Sequence, residues 1–205
     1  MCNRSRGTEI AFGHVGGPRY PAAHARMSSV ANTVWPALRT AAAAFCPPLE
    51  VAAEEPGHLL VLLRDPGNRL ELRLRYRSER GLFLRTYFLI VEADISGEGP
   101  EEPGELILRR RRLAWRRSKP QEARRWEERL APPEFAALVR RLQVESLTLN
   151  WQPEGERWRL RLKTLSGSVT VTFFPPLSTP NPLHRTEAEA CLGLIEEVRR
   201  AVEAR

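Results

Sequence analysis

The segment 109–119, RRRRLAWRRSK, has the composition best suited to bind an anionic partner. Seven basic residues surround one tryptophan within its eleven positions. Guanidinium groups bind phosphate oxygens and an indole ring stacks on an unpaired base, so this mixture is typical of contacts to single-stranded nucleic acid. The candidate binding residues are Arg109, Arg110, Arg111, Arg112, Trp115, Arg116, Arg117 and Lys119.

Two other interpretations of this segment stay open. Its cations would equally suit an acidic protein partner, including the chain's own loop 98–105, which contains four glutamates. The four consecutive arginines would also charge an exposed strand at the edge of a sheet, and such edges resist aggregation through strand pairing. In that third case Trp115 would pack on the core beside Leu113.

The excess positive charge of the chain is local. Residues 105–125 hold nine basic and two acidic residues, a surplus of 7, and the formal net charge of the whole chain is also +7. Any electrostatic attraction of a polyanion would therefore come from this one segment. All but two of the 32 basic residues are arginines. A GC-rich genome produces such a bias without selection for binding, so the abundance of arginine by itself predicts no function.

Two strands predicted at 69–77 and 157–163 form a second candidate surface, because each alternates arginine with apolar residues. If both strands belong to one sheet, their charged sides would combine into a basic face. Half-buried antiparallel strands have a polar outer side in any case, so the pattern alone requires no ligand. The arginines concerned are Arg73, Arg75, Arg159 and Arg161.

The search for catalytic chemistry finds little. Glu92 and Asp94 share one side of a predicted strand and could hold a cation or share a proton, unless the strand simply ends there in solvent. The sequence lacks a P-loop, GxSxG, HExxH and GxGxxG, and its four histidines and three cysteines have no metal-ligand spacing. The sequence therefore predicts a protein that is not an enzyme, with no cofactor and no metal. An enzyme with an unrecognised site remains an alternative.

The elements that position these residues alternate helices with antiparallel strands. Helices are predicted at 29–45, 120–130, 133–142 and from Thr186 onward, and strands at 49–54, 58–64, 69–77, 82–93, 105–108, 145–151, 157–163 and 168–174. Turn signals, including 78–81 and 166–167, join the strands into two β-meanders. Too few helices separate the strands for a parallel sheet. The predicted fold class is therefore α+β: antiparallel sheet from two meanders, packing helices and a C-terminal helix.

The second hairpin also has a predicted register. Pairing Gln152 with Arg157 places Trp151 opposite Trp158 and Leu149 opposite Leu160, so that the large apolar residues share one side. The segments 59–88 and 146–174 resemble each other in their order of strands and turns, which predicts an internal duplication of a helix-plus-meander unit. Chance is the alternative, because arginine and leucine alternate easily in such a composition.

The predicted domain organisation is simple. Residues 1–27 lack hydrophobic periodicity and are predicted to be a disordered leader, with Met27 as an alternative start of translation. Residues 28–205 are predicted to form one α+β domain, with half-repeats 28–115 and 118–205. The composition is globular and contains no apolar run long enough to span a membrane.

These observations favour one function and leave one alternative. The favoured function is a cytoplasmic, non-catalytic protein-binding module, with an adaptor or chaperone-like role and a protein partner that the sequence does not identify. The alternative is a nucleic-acid-binding protein that uses the basic segment 109–125. The sequence does not predict the oligomeric state.

Overall fold

The computed structural model describes residues 22–67, 69–100, 104–109, 112–116, 120–129 and 133–203. Over these residues the chain forms four α-helices and nine β-strands. The helices are α1 (Ala22–Ala43), α2 (Pro120–Arg129), α3 (Pro133–Arg141) and α4 (Arg185–Glu203). The strands are β1 (Glu50–Glu55), β2 (Leu60–Arg64), β3 (Glu71–Arg80), β4 (Leu84–Ser96), β5 (Glu105–Arg109), β6 (Arg112–Arg116), β7 (Val144–Gln152), β8 (Arg157–Thr172) and β9 (Ser178–Pro180).

All the strands belong to one antiparallel sheet. Its order is β1-β2-β3-β4-β8-β7-β5-β6, and the short β9 pairs with β8 outside this order. The two longest strands, β4 with 13 residues and β8 with 16, lie side by side at the centre. The predicted α+β class, an antiparallel sheet with packing helices and a C-terminal helix, is confirmed.

The helices cover one face of the sheet and bury its leucines. Leu72 and Leu74 of β3, Val91 of β4, and Leu160 and Leu162 of β8 are at most 1% exposed. They belong to one buried cluster that also contains side chains from all four helices. Burying one leucine contributes about 1.5–3 kcal/mol, so this covered face stabilises the fold. The opposite face, here called the uncovered face, has no helix of the described chain packed on it.

The predicted register of the second hairpin is confirmed. Trp151 pairs with Trp158 and Leu149 with Leu160. The Trp158 ring is fully buried and lies 5.4 Å from the ring of Trp151 and 5.0 Å from that of Trp126 in α2. These contacts attach α2 to the covered face.

Strand β8 differs from the prediction at 166–167, where a turn was expected. The chain does not reverse there, and β8 continues beside β4 to Thr172. Gly167 adopts a positive φ of 82°, and the register with β4 shifts at this point. A glycine in the left-handed region suits a bulge as well as a turn, and the local sequence does not distinguish them. The second predicted meander is therefore a hairpin with one long strand.

Three further features differ from the prediction, two element boundaries and one strand. The first helix begins at Ala22 rather than at residue 29, and the predicted leader 1–27 overlaps it; residues 1–21 lie outside the described residues. The β3–β4 reversal lies at 81–83, after the predicted turn 78–81. Strand β6 was not predicted at all.

The internal duplication remains unconfirmed. The hairpins that resemble each other in local structure are β1–β2 and β7–β8. Both turn through a 3-10 helix that begins with proline. Leu59 and Glu156, which follow these turns, both adopt the left-handed conformation. This resemblance therefore matches hairpin β1–β2 to hairpin β7–β8, whereas the predicted duplication matches β2 and β3 to that hairpin.

Candidate functional site

The basic segment 109–119 forms part of a hairpin at the end of the sheet. Arg109 ends β5, and Arg112, Trp115 and Arg116 lie in β6, the terminal strand of the sheet order. The other four predicted binding residues, Arg110, Arg111, Arg117 and Lys119, lie outside the described residues.

The strand register distributes this hairpin over both faces of the sheet. Position 115 pairs with Leu106, whose side chain is buried in the core. Position 116 pairs with Glu105, which in turn pairs with Asn150 of β7. Directly paired positions share a face of the sheet, so the register assigns position 115 to the covered face and position 116 to the uncovered face. Positions 115 and 116 are therefore assigned to opposite faces of the sheet.

The centre of the uncovered face carries a connected set of ion pairs, here called the arginine face. Six arginines from three strands, β2, β3 and β8, surround three carboxylates from β3 and β4. The arginines are Arg64, Arg73, Arg75, Arg157, Arg159 and Arg161, and the acids are Glu71, Glu92 and Asp94. Strand alternation produces this arrangement, because the leucines between these residues occupy the covered face.

Glu92 joins the two halves of the arginine face. Its Oε1 accepts a hydrogen bond from Nη2 of Arg75 at 2.7 Å and another from Nε of Arg161 at 2.6 Å. The Glu92 side chain is only 13% exposed. Because water screens it weakly, these charge-assisted bonds are stronger than ordinary surface ion pairs.

The other two carboxylates extend the network. Asp94 accepts a hydrogen bond from Nε of Arg159 at 3.0 Å, and its second oxygen lies 3.5 Å from Nη1 of Arg73. Glu71 accepts a hydrogen bond from Nη2 of Arg64 at 2.7 Å. That bond, more than the contact with Arg73, lowers the pKa of the Glu71 carboxyl below its ordinary value.

This geometry gives Glu92 and Asp94 a role different from either sequence interpretation. Both carboxylates accept hydrogen bonds from arginines, so they serve as counterions instead of ending in solvent. No cluster of three or more metal-ligating side chains occurs among the described residues. With six guanidinium groups and three carboxylates, the arginine face keeps a surplus of three positive charges.

A second surface, here called the apolar tip, lies where β3 turns into β4 and where β8 ends. Leu82 is 85% exposed and Phe174 is 89% exposed. Isolated exposed leucines are common, but a contiguous group of large apolar side chains marks an interaction site. The members of the tip are Leu82, Phe83, Leu84, Phe173, Phe174 and Leu177.

Backbone hydrogen bonds hold the tip together. The N–H of Phe173 donates to the carbonyl of Phe83 at 3.0 Å, which joins the two loops. The Thr172 hydroxyl donates to the carbonyl of Pro175 at 2.6 Å, and the Thr172 N–H donates to the carbonyl of Leu177 at 2.9 Å. These hydrogen bonds, here called the frame of the tip, hold both loops in position, and the exposed side chains project from them.

Two arginines, here called the collar, stand beside the apolar tip at the ends of β3 and β4: Arg80 and Arg85. Arg80 and Arg85 pair directly across the β3–β4 hairpin. The nearby carboxylate of Glu79 binds Lys163 at 2.6 Å instead. Over the described ranges, neither collar arginine has an ion pair. The collar therefore leaves two positive charges next to the exposed apolar side chains.

Comparison with known proteins assigns a family. The model of one family, described as a protein of unknown function (DUF3156), matches residues 45–202, well over half of the chain. The chain belongs to the DUF3156 family. No curated protein and no solved structure matches it. Within the match lie the whole arginine face, the tip and the collar of this DUF3156 protein.

Sequence reasoning missed the apolar tip of the DUF3156 protein. The sequence predicts residues 82–84, Phe173 and Phe174 only as parts of the strands 82–93 and 168–174, and not as an exposed group. Two signals identify the tip in retrospect: apolar residues directly after Gly81 in a reversal, and two phenylalanines before Pro175 and Pro176. Apolar residues at turn positions, where polar ones are usual, indicate exposure.

Proposed function

We propose that this DUF3156 protein is a non-catalytic protein-binding module, an adaptor or chaperone-like protein, that binds an acidic protein partner on its arginine face. The observation that carries the proposal is the set of six guanidinium groups held in place by three carboxylates on the uncovered face. The surplus of three positive charges would complement carboxylates of a partner, which favours specific association.

Preorganisation supports this function. The six arginine side chains are between 36% and 46% exposed, so they are half embedded yet reachable. Their carboxylate partners already restrict the guanidinium groups, and binding would therefore cost less side-chain entropy than binding to free arginines. Each guanidinium carries five donors in a planar fork that matches a carboxylate, so spare donors remain for a partner.

The surroundings of the arginine face also suit a protein. Leu62 of β2 and Ile107 of β5 lie on the same face, flanking the charged centre, and both are partly exposed. Ile90 lies between Arg75 and Lys163 in the register and is 2% exposed. A charged centre with apolar flanks resembles the mixed composition of transient protein interfaces.

Nucleic acid is the second candidate partner, because the register extends the basic surface. In the register, positions 112 and 116 of β6 belong to the same face as Asn150 and Arg159, so arginines there would extend the basic surface across the sheet from β2 to β6. The register pairs position 115 with Leu106 of the covered face, which favours a protein partner, since a base-stacking ring would be needed on the uncovered face.

The test places a photo-cross-linking amino acid at Asn150, on the uncovered face of β7, in living cells. The control position is Ala137, exposed on α3. We expect a discrete protein adduct from position 150 and none from position 137. A nucleic-acid adduct would favour the second candidate, and the absence of any adduct at position 150 would contradict both.

A charge variant makes the test specific. Arg64→Gln with Arg157→Gln removes two charges from the rim of the arginine face while both hydrogen bonds of Glu92 remain. We expect this variant to lose the protein adduct. The matched control, Arg140→Gln with Arg141→Gln, removes the same charge from exposed positions of α3 and should keep it.

The nucleic-acid alternative has its own test, a salt titration with single-stranded and duplex DNA. A phosphate-binding surface would lose affinity steeply as salt rises, and glutamines at positions 109–112 would reduce the slope. Weak DNA binding that is equal for the unchanged protein and for the glutamine variant would favour the protein partner.

We also propose that the protein acts in the cytoplasm. Cys46 and Cys191 are free thiols, which is compatible with a reducing compartment. No helix within the described ranges is long and apolar enough to cross a membrane.

A further inference from the structure

We propose that the apolar tip inserts into the interfacial layer of an anionic membrane while the collar binds lipid headgroups. This inference goes beyond the protein-binding function, because it concerns another end of the sheet and another class of partner. Leu82, Phe83 and Phe174 would enter the acyl boundary, and Arg80 and Arg85 would remain at headgroup level.

The shape of the tip favours a lipid interface. Leu82 and Phe174 keep 85% and 89% of their surface exposed, so they project outward instead of lining a groove. The described cavities, for example those beside α1 and around Trp151, are lined by other residues. A fluid interface adapts to a projecting group, whereas a helix or an extended peptide needs a groove to occupy.

The charge of the collar selects anionic lipid. Arg80 and Arg85 adjoin the apolar side chains and have no carboxylate partner within the described ranges, and the carboxylate next to them, Glu79, binds Lys163. Arginine places its aliphatic stem along apolar surface and its charge in the headgroup layer. Each such cation near an anionic surface increases binding several-fold at low salt. The same like charges would repel a second copy of the chain packed tip to tip.

The frame of the tip lowers the cost of insertion. The bond from Phe173 to Phe83 and the bonds of Thr172 fix both loops before any membrane is present. The side chains that would be buried are therefore already presented together, and little backbone entropy would be lost on binding.

The experiment is co-sedimentation of the full chain with vesicles of phosphatidylglycerol mixed with phosphatidylcholine, compared with vesicles of phosphatidylcholine alone. We expect partition onto the anionic vesicles and little onto the neutral ones. Leu82→Ser with Phe174→Ser should lower the partition coefficient about tenfold or more. Arg80→Gln with Arg85→Gln should lower it about tenfold at low salt and have little effect at high salt.

Matched controls separate the tip from the rest of the surface. Val51→Ser changes an exposed apolar residue of β1, and Arg140→Gln with Arg141→Gln removes two charges from α3. Both should partition almost like the unchanged protein. Circular dichroism of each variant confirms that it is folded, which is expected because the changed side chains are exposed.

Four results would overturn the proposal. The first is no partition of the folded protein onto anionic vesicles at low salt. The second is undiminished partition of the Leu82→Ser, Phe174→Ser variant, which would assign lipid binding to another basic surface. The third is self-association, abolished by that variant, without vesicle binding, which would identify a second copy as the occupant. The fourth is a protein adduct from a cross-linker at position 174 without vesicle binding, which would identify a protein.

Discussion

The arginine face and the apolar tip share the strands β3, β4 and β8, and Arg64 of β2 adds to the arginine face, but the pattern of residue types differs between the two regions. Along the middle of these strands, alternation directs leucines into the core and arginines outward, where carboxylates bind them. At the strand ends the alternation stops, and leucine and phenylalanine side chains are exposed beside arginines that have no ion pair in the described chain.

This difference separates what stabilises the molecule from what is available to bind. Glu92 satisfies two arginines that would otherwise repel each other, so the centre of the arginine face contributes to folding as well as to charge. Leu82 and Phe174 bury almost no surface in the fold, so they contribute little to its stability. Exposed apolar side chains that bind no partner favour aggregation. Residues that depart from the local pattern without a gain in stability are expected at functional sites.

The largest expected effect on stability comes from Glu92→Gln. The change removes the charge from an acceptor shared by Arg75 and Arg161 and leaves two partly buried guanidinium groups facing each other. We expect the free energy of unfolding to fall by about 1.5–3 kcal/mol, measured by urea denaturation.

The matched control for that prediction is Glu79→Gln. Glu79 binds Lys163 at 2.6 Å, but its side chain is 51% exposed, so its loss should cost less than about 1 kcal/mol. Equal costs for the two glutamates would show that the centre of the arginine face is no more than an ordinary solvated surface.

A smaller effect is expected at the frame of the tip. Thr172→Val removes the hydroxyl that donates to the carbonyl of Pro175 and accepts a hydrogen bond from the N–H of Leu177. The loss should be about 0.5–1.5 kcal/mol. Hydrogen exchange at the Leu177 amide should accelerate, whereas Thr170→Val, which removes a hydroxyl that contacts the hydroxyl of Thr86, should leave it unchanged. An unaffected amide at Leu177 would mean that the frame does not depend on Thr172.

Lowering the pH should reduce the stability that the carboxylates of the arginine face contribute to the fold. The apolar tip, which consists of leucines and phenylalanines, should not be affected. The Arg64 hydrogen bond lowers the pKa of Glu71, so the folded state binds this proton less tightly than the unfolded state. The resulting stability is present above the ordinary pKa of glutamate and is lost as the pH falls through the folded value. The pKa of Asp65 is lowered in the same direction, chiefly by the N–H of Leu70, in the adjacent β2–β3 turn.

The measurement is the melting temperature between about pH 3 and pH 6, a range that spans the ordinary carboxyl pKa values. We expect it to fall toward acid, and Glu71→Gln should reduce the slope by an amount corresponding to less than about 1 kcal/mol, because this ion pair is exposed. A slope unchanged by Glu71→Gln would assign the acid sensitivity to other carboxylates.

Much of the fold could be predicted from the sequence because the strands alternate so regularly. The pairing of Trp151 with Trp158 follows from placing large apolar residues on one side, and the structure confirms it. The bulge at Gly167 could not be predicted, because a glycine suited to a turn is equally suited to a bulge. Only the pairing of β8 with β4 along its whole length decides between the two.

The candidate surfaces were less predictable. The arginines of β3 and β8 were identified as one possible basic face, but their pairing with Glu92 and Asp94 depends on β4 lying between these two strands. The apolar tip depends on two loops, about 90 residues apart in the sequence, meeting through the bond from Phe173 to Phe83. Neither contact has a local sequence signal.

The smallest effect on stability is expected from Leu82→Ser with Phe174→Ser. Both side chains are exposed in the folded and the unfolded chain, so the free energy of unfolding should change by no more than about 0.5 kcal/mol. Retention on a hydrophobic column should nevertheless fall clearly, because the two most exposed apolar side chains of the tip are lost. A loss of stability as large as that expected for Glu92→Gln would mean that the tip packs against the fold. In that case its side chains would be structural like the arginine face, and the contrast between the two regions would disappear.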